Sequence, residues 1–324
     1  MRQHEKMTMK VNNHRPLIPV FFMLLLSLVL LNCGGGGDGG DGGGTTLTPA
    51  AVDDTTAAEV LSMAFASAPL MDLNEEFDTF SVSSDTRPTL KIADWALRRA
   101  KEEIFSAAPY QVASSVSESE NCSTGNMTMD MTWDGPQNAT DCSQISNVNA
   151  SMQFNQCSES GIYINGTITL FISGNLCNPS AMSMDFVNAT IQNGDVNARM
   201  NRFSIDFSMS GDTVSATFNG DVSGSAGGVS EAMKFSNFNI TDTETDEGES
   251  TTISGAISGS CFNGWVTLAT VAPVLWPHSG SCPTSGQVTV SGDDDVTATF
   301  HSDYSVTVGE AEYTSCENLP QACQ

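Results

Sequence analysis

The sequence predicts a mainly β fold: a large antiparallel β-meander, forming a curved sheet, half-barrel or sandwich, with one or two N-terminal helices. Three observations predict it. From Cys122 onward apolar and polar residues alternate with period 2, turn residues punctuate the alternation, and eight cysteines are spread through the same region.

The alternation recurs in successive runs. Met127, Met129, Met131 and Trp133 share one face, with Thr128, Asp130 and Thr132 opposite. Val148, Ala150, Met152 and Phe154 repeat the pattern, as do Phe203, Ile205, Phe207 and Met209, then Val214, Ala216 and Phe218, and later Val296, Ala298 and Phe300. Successive side chains of a strand point to opposite faces, so each run is a strand with one buried face. Asp134-Gly135-Pro136, Asn193-Gly194-Asp195, Ser210-Gly211-Asp212 and Ser291-Gly292-Asp293 lie between the runs. About twelve strands joined by short turns imply antiparallel pairing. Asn165-Gly166 is a hairpin signal, yet Ile162, Ile164, Ile168, Leu170 and Ile172 keep one parity through it. A two-residue turn there would mix faces, so residues 161–173 are read as one long strand.

Residues 45–120 differ. Ala57 to Leu70 is rich in Ala and Met and reads as helix. Pro88 suits a first helical turn, and Ala93, Ala96, Leu97, Ala100 and Ile104 follow at helical spacing to about Ala108. Arg87, Lys91, Arg98, Arg99 and Lys101 sit in or beside this second helix. Glu102 and Glu103 dilute their charge, so a helix docked on the β region is preferred to one lying on anionic lipid.

The formal net charge is −26 over 324 residues. Without residues 1–32, which hold four cations and Glu5, 8 cations face 37 acids and the net charge is −29. Phosphate binding needs clustered Lys and Arg, so nucleic acid is excluded as a partner.

The N-terminus carries an address. Residues 1–15 are polar and net positive, and Leu17 to Leu31 is almost unbrokenly apolar. That length suits a signal-peptide core and is short of the ~20 residues of a spanning helix. Leu30-Leu31-Asn32-Cys33 follows, then Gly34 to Gly44, with nine glycines and two aspartates in eleven residues. This resembles the lipobox of bacterial lipoproteins, with Asn32 standing where Gly, Ala or Ser is usual. The resemblance covers residues 1 to about 44 and implies cleavage before Cys33, acylation of its thiol, and a membrane partner reached through that lipid. Gly34 in place of an Asp implies the outer membrane of a Gram-negative cell envelope. The glycine run is a leash of ~18 Å root-mean-square reach. No strand precedes it and no helix follows, so it is not a phosphate loop.

Eight further cysteines in an exported chain read as four disulfides: Cys122, Cys142, Cys157, Cys177, Cys261, Cys282, Cys316 and Cys323. No C-x2–4-C pair occurs, and His278 and His301 are far from any compact cysteine pair, which excludes zinc. In a meander Cys122 and Cys157 fall at one end of the strands, Cys142 and Cys177 at the other. Joining Cys157 to Cys177 would bridge a strand of ~40 Å, so the expected pairs are 122–157 and 142–177. Proximity in sequence suggests 261–282 and 316–323.

No catalytic constellation stands out. His301, Asp303 and Asp293-Asp294-Asp295 supply the ingredients of a triad, but Ser and Asp are abundant and a solvated strand histidine is the favoured reading; His278 reads as a loop residue. The aspartate triplet lacks EF-hand ligand spacing and reads as a hairpin turn. Asp242, Glu244, Asp246, Glu247 and Glu249 read as a mobile loop. Cys261 to Gly264, Cys282 to Gly286, Cys122 to Gly125 and Cys157 to Gly161 look like weakly repeated units of cysteine, short turn and glycine, and resemble segments of uncharacterised exported bacterial lipoproteins. Eight methionines (127, 129, 131, 152, 182, 184, 200 and 209) are many for one sheet. Core filling is favoured, with a greasy ligand-binding face as the rival. At fold level the layout resembles periplasmic lipid-carrying lipoproteins that pair an open half-barrel with a lid helix.

The expected organisation is a signal peptide at 1–32, a lipidated Cys33 and linker at 33–54, a helical segment at 55–120 and a disulfide-bonded β domain at 121–324. The expected function is a non-enzymatic structural or binding role at the cell envelope, without cofactor or metal. An envelope protein or a hydrophobic ligand is the expected further partner. A carrier of lipid on the apolar face is the alternative, and a hydrolase comes third.

Overall fold

The computed structural model describes residues 48–67, 115–136, 141–159, 162–193, 196–226, 229–259, 262–278 and 281–320. Cys33, the glycine leash, the second expected helix, Cys261 and Cys323 lie outside the described residues.

Among the described residues one α-helix, α1 (Asp54–Ser67), precedes fourteen strands: β1 (Ser115–Asn121), β2 (Thr124–Asp134), β3 (Ser146–Glu159), β4 (Ile162–Asn175), β5 (Asn178–Asn193), β6 (Val196–Ser210) and β7 (Thr213–Ala226), then β8 (Val229–Thr245), β9 (Gly248–Gly259), β10 (Phe262–Pro277), β11 (Ser285–Ser291), β12 (Asp295–Phe300), β13 (Val306–Val308) and β14 (Ala311–Tyr313). All belong to one curved antiparallel sheet whose spatial order is the sequence order. The mainly β meander is therefore present, with fourteen strands in place of about twelve. β1 occupies the end of the segment expected to be helical: its sequence alternates Ser and Glu with few apolar residues, and pairing with β2 supplies what its own pattern lacks.

In such a meander the strands have two common ends. The near end carries the β3–β4, β11–β12 and β13–β14 connections. The far end carries the β6–β7, β8–β9 and β10–β11 connections. β4 runs unbroken through Asn165-Gly166.

The inner face holds the core. Met129, Met131, Met152, Met182, Met184 and Met200 are at most 4% exposed, too little for a water-sized space beside them. Ala57, Val60, Leu61 and Ala64 of α1 join the same hydrophobic cluster as the strands. The helix begins where Asp53 accepts the Thr56 N–H (2.7 Å), an N-cap that holds the Asp53 carboxyl below its usual value.

A line of irregularities crosses the sheet nearer the near end. The register shifts between Phe154 and Cys157, Asn165 and Thr167, Met200 and Phe203, Phe218 and Gly220, and Ser236 and Asn239. Left-handed backbone marks it at Gln156 (φ 50°), Gly166 (114°), Asn188 (50°), Gly220 (104°), Asn237 (47°) and Gly255 (108°). Two Asn-Gly pairs serve it alike. Asn165 Oδ1 accepts the Gln156 N–H from β3 (3.1 Å), and Asn219 Oδ1 accepts the Asn237 N–H from β8 (2.7 Å). Bulges bend strands and increase twist, so this line is where the sheet curves.

Among the described residues three disulfides brace the ends. Cys122–Cys157 lies at the near end, Cys142–Cys177 and Cys282–Cys316 at the far end, with Cα separations of 5.4, 5.1 and 5.6 Å. The first two are the expected pairs. The third overturns both 261–282 and 316–323. β10 begins at the near end and Cys282 follows it at the far end, so proximity in sequence misleads where a sixteen-residue strand intervenes.

Candidate functional site

The chain leaving the leash is stitched to the sheet at its near end. Trp265 N–H donates to Thr48 O (2.8 Å), and Ala50 N–H donates to Trp265 O (2.9 Å). Ala50 O then accepts the Asp293 N–H (2.8 Å), and Val52 N–H donates to Asp293 Oδ1 (2.9 Å). Asp54 Oδ2 accepts the Glu310 N–H (2.9 Å). These bonds join residues some 215 to 256 positions apart. The linker thus ends before Thr48, and residues 48–54, expected to belong to it, are part of the fold. Gly264 and Gly292 permit this: a Cβ on either would strike the backbone of Ala50. Asp293, expected in a solvated turn, is the clasp that holds the incoming chain.

A second feature lies on the outer face of β2 to β5, along the line of bulges. It is a cleft of about 380 Å3 lined by the carboxamides of Asn126, Gln153, Asn155, Asn165 and Asn188. The hydroxyls of Thr128 and Thr167 and the side chain of Val187, 39% exposed, complete most of its wall. Their neighbours Met152, Ile168 and Phe186 are buried, so alternation turns the lining residues outward. None of the lining residues is charged. The asparagine and glutamine positions do not stand out in the sequence, because Asn is frequent throughout the domain. The signal that would find them is Asn-Gly inside a run of unbroken parity, which marks a bulge and a bend.

The structure sets His301 and Asp303 in one turn, where the charge of His301 is felt by the Asp303 carboxyl, but leaves Asp293 to Asp295 apart from them. His301 follows β12 at the far end, where its Nε2 lies 2.9 Å from Thr307 Oγ1. Asp303 Oδ1 accepts both the hydroxyl (2.6 Å) and the N–H (3.1 Å) of Ser305, which hold its carboxyl below the usual range. Asp293 to Asp295 stand at the opposite end of β12. His278 is exposed after β10. Asp141 adjoins Cys142 and Cys177, but those sulfurs are joined to each other and offer no thiolate to a metal.

The acidic stretch 242–249, expected as a mobile loop, is a β-hairpin. It forms the end of β8, a two-residue turn at Asp246-Glu247 and the start of β9. Thr243 and Thr241 make hydroxyl contacts to β7 at 3.1 and 2.8 Å, which alternation could not reveal. Asp242 faces inward at 4% exposure, opposite Thr251 in register, and its carboxylate makes no hydrogen bond of good geometry. Burial pushes its pKa up to about 7, the Thr251 hydroxyl opposes this in part, and the charge of Glu249 adds to it.

A comparison of the chain with protein-family models, curated proteins and solved structures returns no match.

Proposed function

We propose that the protein is a lipid-anchored component of a bacterial cell envelope, acylated at Cys33, with a non-enzymatic binding role carried by its curved sheet. The observation that carries this reading is the stitching of Thr48 to Asp54 onto β10, the β11–β12 turn and the β13–β14 turn. Seven residues after the glycine leash are fixed by five hydrogen bonds, which set the near end of the sheet as the side from which a tether leaves the domain. The positive N-terminus, the apolar run and Leu30-Leu31-Asn32-Cys33 support the lipid end of the tether. The disulfides support an oxidising compartment.

The burial of the methionines on the inner face favours core filling over a carrier of lipid in the sheet's interior. His301 hydrogen-bonds to a threonine, which gives no support to a triad hydrolase. Membrane fractionation tests the anchor. The wild-type chain should sediment with the outer-membrane fraction and Cys33→Ser should shift to the soluble fraction. Equal membrane association of the two would refute the reading.

A further inference from the structure

We propose that the outer-face cleft on β2 to β5 binds an uncharged, hydroxyl-rich ligand, a segment of neutral oligosaccharide lying along β4. This rests on the binding role proposed above and gives it a site and a ligand class.

The chemistry of the lining selects the ligand. Carboxamides each offer a donor and an acceptor in one plane, which matches vicinal hydroxyls, themselves both donors and acceptors. Asn126, Gln153, Asn155, Asn165 and Asn188 converge on one cleft, with no Lys or Arg among the lining residues to attract an anion. The net charge of the mature chain also repels polyanions. The cleft's position is built. Asn165 is fixed by the Gln156 N–H, and Gly166, whose Cβ would strike the Asn188 carbonyl, lets β5 close in.

A second observation points the same way. The outward residues of β4 run Asn165, Thr167, Thr169 and Phe171. Phe171 is 44% exposed, one of few large apolar side chains so placed among the described residues. From Asn165 to Phe171 is six residue steps along a strand, about 20 Å, a span suited to a short run of sugar rings. The ring faces of sugars carry C–H groups that pack on an aromatic surface, so an exposed phenyl ring beyond an amide-lined cleft forms two ends of one site. On β7 and β8, by contrast, the outer polar groups serve one another: Asn239 Nδ2 donates to Ser215 (2.8 Å) and Thr217 (2.9 Å) and its Oδ1 accepts from Thr241 (3.0 Å).

The experiment is calorimetric titration of the full mature chain, held in a zwitterionic detergent, with chitohexaose, cellohexaose and maltohexaose, and with a hexamer of galacturonate as the charged control. At least one neutral hexamer should bind. Gln153→Ala and Phe171→Ala, both at exposed positions, should each weaken it about tenfold while leaving the melting temperature unchanged. No binding by any neutral hexamer at millimolar concentration overturns the proposal, as does binding of galacturonate alone or neutral binding unaffected by both substitutions. The titration does not involve the membrane, so its failure leaves the tether standing and loss of the tether leaves it unaffected.

Discussion

The rings of Phe203 and Phe235 meet at 5.9 Å although their strands, β6 and β8, are separated by β7. Gly220 lies between them in register, opposite Phe203 on one side and Phe235 on the other. With no side chain there, the two rings close over the glycine and extend a chain of contacts from Phe186 (6.0 Å) to Phe238 (5.8 Å). Each such pair contributes ~0.5–1.5 kcal/mol beyond area burial. The same glycine has φ 104°, so one residue serves both the bend and the core.

Gly220→Ala should therefore cost about 3 kcal/mol, because its Cβ would strike the Arg202 carbonyl in a backbone conformation that side chains avoid. Gly211→Ala should cost only about 1 kcal/mol: it has φ 59° with open space around it. Thermal melts of the two variants compare them directly. Equal losses would mean that Gly220 is not a point of close approach.

Asp242 makes stability depend on pH. Unfolded, its carboxyl ionises at the ordinary value near 3.8; folded, burial holds it up to about 7. Between those values the folded chain binds the additional proton. This contribution to stability is complete at low pH, declines as pH rises from about 4 to about 7, and then levels off. Asp242→Asn should flatten that decline and raise stability at neutral pH by a few kcal/mol, since each tenfold change in proton affinity corresponds to about 1.4 kcal/mol. Denaturant titrations at pH 5 and pH 8 read this out, and an unchanged pH slope in the variant would contradict the assignment.

The disulfides should map as described. Peptides from the unreduced chain should join Cys282 to Cys316, leaving Cys261 and Cys323 as the remaining two. Each of the three described bridges closes a loop of 34 or 35 residues, worth ~2–4 kcal/mol. Recovery of a peptide joining Cys261 to Cys282 would show the far-end arrangement to be wrong.

Asp293→Ala removes the acceptor for the Val52 N–H. Amide exchange at residues 50–54 should accelerate at least tenfold, while the β5–β8 core stays protected. Asp53→Ala should destabilise the start of α1 by about 1 kcal/mol. If exchange in residues 50–54 is unaltered by Asp293→Ala, the clasp is not what holds the incoming chain.

The fold was legible where alternation was long and one face was apolar, as from Met127 to Trp133 and Phe203 to Met209. Asn165-Gly166 shows a stronger case: parity on both sides outweighed the local hairpin signal, and the pair became a bulge. Asp242 and β1 show the limit. Threonine hydroxyls and strand pairing hold acidic segments in the sheet, and neither is visible in an apolar–polar pattern. Cys282 paired across the β10–β11 and β14 ends because strand length, not sequence distance, decides which cysteines meet. Residues 48–52 differ from the leash in having no glycine, but composition does not show that they dock on the sheet, since backbone groups make most of the clasp. The cleft was hidden for a related reason: its asparagines converge only through register shifts between strands.

Attachment to the envelope through Cys33 is the proposal on which the rest depends. The most direct test is mass spectrometry of the N-terminal peptide of the protein isolated from its native membrane. Cys33 should be the first residue, with its sulfur carrying a diacylglyceryl group. A free Cys33 thiol, or a mature N-terminus at any other position, would contradict it.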